Sequence, residues 1–138
     1  MKTKIRIGAL IALAALLFTG VAVTSCMSVP GGGSDSDPAI IHYYRYDQKY
    51  DEGWNLWIWE VGGPEGSGYE FGSPDAEGWV TGTIPMESYV EEFGYIVRKS
   101  TPGNDWEDKD VADDRFSKAR EIWIITGDPA TYTSKPEL

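Results

Sequence analysis

Apolar and polar positions follow one another in short runs along most of this chain. Residues 40–46, 54–59, 78–84, 95–98 and 122–125 are rich in β-branched and aromatic side chains, with weaker runs at 69–71 and 131–132. Clusters of Gly, Pro, Asp and Asn at 62–68, 72–75, 101–105 and 127–129 separate them, as turns separate strands. No stretch carries a sustained 3.6-residue apolar period. The pattern predicts an all-β fold, an immunoglobulin-like antiparallel β-sandwich over residues 39–133, followed by a tail at 134–138.

The first residues follow a different rule. Lys2, Lys4 and Arg6 precede an apolar run over residues 7–23, the layout of a secretory signal peptide over residues 1–25. A run of about that length also suits a membrane-spanning helix. The segment Val23-Thr24-Ser25-Cys26 resembles the lipobox of bacterial lipoproteins. That resemblance implies removal of residues 1–25, lipidation of Cys26 and an exported, membrane-anchored protein at the cell envelope or surface. Cys26 is the only cysteine, so an intrachain disulfide is excluded. Residues 26–38 then read as the lipidated cysteine and a flexible Gly/Ser/Asp/Pro tether.

Charge narrows the partners. The whole chain carries −10, yet all 22 acidic residues and only nine of the 12 basic ones lie after Cys26, leaving about −13 there. Such a surface argues against nucleic acid.

Six tryptophans are informative by their placement. Side chains alternate across a strand, so Trp54, Leu56 and Ile58 share one face while Asn55, Trp57 and Trp59 share the other. The first set is wholly apolar and suits a core, which turns Trp57 and Trp59 outward. Neighbours on one strand face stand about 6.5–7 Å apart, so two indoles there could form a platform for sugar rings. Packing is the competing role, since large aromatics serve cores as readily as interfaces.

The runs Ile41-His42-Tyr43-Tyr44-Arg45-Tyr46-Asp47, Tyr50-Asp51 and Gly53-Trp54-Asn55-Leu56-Trp57-Ile58-Trp59 resemble the N-terminal starch-binding modules of bacterial pullulanases, carbohydrate-binding module family 41. Trp106, Lys109-Asp110-Val111-Ala112, Asp114-Arg115-Phe116, Glu121-Ile122-Trp123-Ile124 and Gly127-Asp128-Pro129 extend the likeness in the same order. The resemblance implies a β-sandwich that binds α-1,4-glucans (starch, amylopectin, glycogen, pullulan) without catalysis. Trp57 and Trp59 would then stack on glucose rings, Lys109 and Asp114 would hydrogen-bond hydroxyls, and Trp106 would add a third aromatic. It also implies a partner pullulanase or amylase, and no cofactor. Three features depart from the family pattern. Tyr44 stands where a second histidine is common, Glu52 lengthens the turn before Gly53, and the usual family 13 catalytic domain does not follow. Two other settings therefore stay open: a structural or protein-interaction lipoprotein, or the N-terminal part of a longer pullulanase.

The remaining candidates are weaker. Asp105, Glu107, Asp108, Asp110, Asp113 and Asp114 invite a calcium reading but lack the spacing of an EF-hand loop, so a solvated acidic loop is expected. His42 is the only histidine and lies inside a predicted strand, as a satisfied side chain would. Glycosidic hydrolysis needs two carboxyls flanking a cleft, and no pattern positions such a pair. The chain is read as a non-enzyme.

Overall fold

The computed structural model describes residues 35–138. Residues 1–25 and Cys26, with the expected signal peptide, lipidation site and most of the tether, lie outside the described residues.

Among the described residues eight strands follow one another: β1 (Ala39–Tyr44), β2 (Trp54–Glu60), β3 (Ser67–Tyr69), β4 (Trp79–Ile84), β5 (Phe93–Thr101), β6 (Asn104–Lys109), β7 (Arg115–Ser117) and β8 (Glu121–Ile125). They form two sheets. One has the order β4-β1-β8; the other runs β3-β2-β5-β6, with β7 also pairing β5. This is the all-β sandwich expected from the sequence. One detail differs from a purely antiparallel expectation: β1 and β8 run parallel, Ile41 opposite Ile122 and Tyr43 opposite Ile124.

The core follows from strand parity. Ile41 and Tyr43 of β1, Val80 of β4, and Ile122 and Ile124 of β8 are buried from one sheet. Trp54, Leu56 and Ile58 of β2 and Phe93, Tyr95 and Val97 of β5 are buried from the other, and all join one cluster. Contact between the layers is close at Gly82, where an added Cβ would stand 2.7 Å from Leu56 Cδ1. Glycine there lets Leu56 reach the backbone of the opposite sheet.

The turn into β2 absorbs Glu52. Residues Tyr50–Glu52 form one turn of 3-10 helix that ends on Gly53 at φ 98°, in the left-handed region glycine favours. Tyr50 Oη accepts from the Arg45 amide and donates to the Gly78 carbonyl at 2.6 Å, tying this turn to the end of β1 and the start of β4 in the smaller sheet. Beside it, Arg45 grips Asp47 through Nε and Nη2 at 2.9 and 2.7 Å. The hydrogen bonds from Arg45 hold the Asp47 carboxyl down at about 2.

Two strands were not expected. β6 takes up the first part of the acidic loop expected over 105–114, and residues 110–114 remain a loop; every residue of β6 is exposed, and its sequence Asn-Asp-Trp-Glu-Asp-Lys offers no apolar alternation. β7 is a three-residue strand whose ends, Arg115 and Ser117, are buried while Phe116 points outward. The run at 131–132 contributes only a bridge from Tyr132 to Trp123.

Candidate functional site

The outer face of the larger sheet is organised in rows that cross its strands. Register places Asn55, Arg98 and Lys109 in one row, Gly68, Trp57 and Ile96 in the next, and Trp59, Gly94 and Phe116 in a third. The inward parity of Trp54, Leu56 and Ile58 requires this, because it turns Asn55, Trp57 and Trp59 to the other side. Trp57 and Trp59 are half-buried, not sealed in the interior. They share this face, and each ring meets a different aromatic neighbour.

Trp57 meets Trp106. Their centroids are 5.5 Å apart and their planes cross at 66°. Uninterrupted alternation from Lys109 would give Glu107, not Trp106, to this face. The register shifts between Lys99 and Thr101, as at a β-bulge, and Trp106 arrives against Trp57 instead. Glu107 goes the other way, to Thr101 and Lys99. Re-aiming a side chain is a common consequence of such an irregularity. Trp106 keeps 43% of its surface exposed.

A buried cation holds this corner. Arg98, only 6% exposed, places its guanidinium carbon 4.5 Å from the Trp57 centroid and 4.6 Å from that of Trp106. Its Nε donates to Asn55 Oδ1 at 3.1 Å, and Asn55 Nδ2 donates in turn to Glu70. A planar guanidinium can face two rings while its edge donates hydrogen bonds, which an ammonium cannot do as well. Sequence reading passed over Arg98, because a charged residue in a strand reads as solvated.

Polar groups border the same corner. Lys109 Nζ lies 5.7 Å from the Trp106 centroid and 3.9 Å from Asp114 Oδ1. Both side chains are exposed, so this loose ion pair leaves donors and acceptors turned to solvent. The next residue is anchored. Asp110 Oδ1 accepts from Tyr43 Oη at 2.9 Å, the Gly127 amide donates to the same carboxylate, and the Asp110 amide donates to the Val97 carbonyl. Burial pushes the Asp110 carboxyl above its usual range. Asp110 alone departs from the expected solvated acidic loop: it anchors the chain between Lys109 and Asp114, while Asp105, Glu107, Asp108, Asp113 and Asp114 are exposed.

Trp59 meets Phe116 across Gly94. The centroids are 5.7 Å apart at 86°. A side chain on Gly94 would run into the Trp59 indole.

Other candidates resolve differently. On the smaller sheet, His42 has Nδ1 2.9 Å from Thr81 Oγ1 and Nε2 2.9 Å from Glu121 Oε1, and its ring stacks on Trp123 of the adjacent strand β8. Among the described residues no group of three or more His, Cys, Asp or Glu could hold a metal ion. A surface depression of about 410 Å³ is lined by Glu60, Val61, Gly62, Gly63 and Tyr89 to Glu92 past the end of β2.

Compared with known proteins, residues 37–133 match the family described as bacterial pullanase-associated domain. The match spans β1 to β8, including every residue of the three rows.

Proposed function

The chain belongs to the bacterial pullanase-associated domain family, accessory domains that accompany pullulanases, and from that premise we propose that it binds α-1,4-glucans such as starch, glycogen or pullulan without catalysing their hydrolysis. The observation that carries this reading is the Trp57–Trp106 corner, braced from below by Arg98 and bordered by Lys109 and Asp114. Pyranose rings have apolar C–H faces and hydroxyl rims. The two indoles suit the faces; a lysine that donates and an aspartate that accepts suit the rims.

Planes crossing at 66° favour a chain that turns between successive rings over a flat ribbon. Each stacked ring contributes on the order of 1–3 kcal/mol, taking bases on aromatics as the guide. Ordering the polymer offsets part of it, so affinity on the order of micromolar to millimolar is expected. In this reading the module is of the family 41 type. Export and lipidation at Cys26 would present it at a membrane surface, beside a pullulanase or amylase that works on the same polymer.

Native gel electrophoresis with and without amylopectin tests the proposal. Retardation by the polysaccharide, lost in Trp57→Ala and Trp106→Ala, is the expected result. Equal mobility of the wild type in both gels would overturn it.

A further inference from the structure

We propose that Phe116 is a ligand-contacting residue, which with Trp59 makes a second stacking station for a glucan that continues from the Trp57–Trp106 corner. This rests on the function proposed above and extends it to Phe116, to which sequence reading gave no role.

Phe116 is a large apolar side chain left half in solvent. In β7, Arg115 and Ser117 are buried, while Phe116 between them is 50% exposed. Its register partner is Gly94, whose partner on the other side is Trp59. Next-nearest strands stand roughly 9.6 Å apart, yet the two ring centroids are 5.7 Å apart. The rings therefore lean together over the glycine, in space that a side chain at 94 would occupy.

The first corner is built the same way. A half-buried tryptophan of β2 reaches toward an exposed aromatic from the strand line beyond β5. The two constructions lie one row apart, about 6.5–7 Å along β2. Their surroundings differ. Lys109 and Asp114 border the Trp57–Trp106 corner, so that corner selects hydroxyl arrangement; the Trp59–Phe116 corner adds apolar contact and so selects chain length.

Titration calorimetry on the full-length protein with maltotriose and maltoheptaose provides the test, with Phe116→Ala, Phe116→Trp and Trp57→Ala compared. The wild type should prefer maltoheptaose. Phe116→Ala should weaken maltoheptaose roughly five- to tenfold, the low end for loss of one stacking aromatic, and leave maltotriose unchanged. Phe116→Trp should restore the preference, and intermolecular NOEs from the Phe116 ring to maltoheptaose should separate contact from mere support of Trp59. An unchanged urea midpoint in Phe116→Ala would show that the fold is intact. If Trp57→Ala abolishes binding while Phe116→Ala binds maltoheptaose as tightly as the wild type, this inference alone is overturned. If the wild type binds neither sugar, the function and the inference fall together.

Discussion

Arg98 makes a quantitative test of how the aromatic corner is held. Arg98→Met keeps much of the side-chain volume and removes the guanidinium; Trp106→Ala removes the outer ring. A cation–π contact is worth about 0.5–1 kcal/mol when exposed and about 2 when desolvated. Arg98 is buried but Trp106 is 43% exposed, so about 1 kcal/mol is expected for this pair. Arg98→Met also leaves the Asn55 carbonyl oxygen without its donor in a residue that is 7% exposed, adding roughly 1–3 kcal/mol. That loss is common to both arms of a double-mutant cycle and cancels. The single Arg98→Met change also loses the Trp57 contact, worth about another 1 kcal/mol, and should thus cost about 3–5 kcal/mol. The double mutant should be less destabilised than the sum of the singles by about 1 kcal/mol. Urea unfolding followed by far-UV circular dichroism measures all four proteins without relying on the tryptophan signal being altered. A coupling smaller than about 0.3 kcal/mol, within ordinary additivity, would refute the clamp.

Two further outcomes follow from the same geometry. Gly94→Ala places a methyl group in the space of the Trp59 ring and should cost about 1–3 kcal/mol by overpacking, visible as a lower Tm; a Tm equal to that of the wild type would contradict the close approach. Asp47, held at about 2 by Arg45, stabilises the fold above its ordinary value of 3.8 and loses that contribution as pH falls through about 2. Asp47→Asn should therefore be less stable than the wild type at neutral pH, with the gap closing in urea titrations across that acid window; a gap independent of pH would contradict it.

The sequence carried the sandwich and the orientation of β2 because three wholly apolar positions, Trp54, Leu56 and Ile58, leave only one face for the core. It could not carry β6. A strand exposed along its whole length is held by backbone pairing to β5, and backbone pairing leaves no hydropathy signal. Trp106 was named as a candidate from resemblance, but its side of the sheet depends on a register shift that no parity rule anticipates. Arg98 and Asp110 were missed for a shared reason. Charged residues read as solvated, and only the packed structure reveals a guanidinium under two indoles or a carboxylate held by Tyr43 and Gly127. Gly94 had a legible hint in hindsight. An isolated glycine inside a strand marks a close approach, and here the approaching group is Trp59.

The most direct measurement follows the indole N–H signals of the 15N-labelled protein as maltoheptaose is added. Trp54 and Trp79 are buried in the fold and serve as internal references. The account predicts saturable shifts for Trp57, Trp59 and Trp106, with Trp54 and Trp79 unmoved. Shifts confined to Trp123 on the opposite sheet, or no shift at any indole at millimolar sugar, would contradict it.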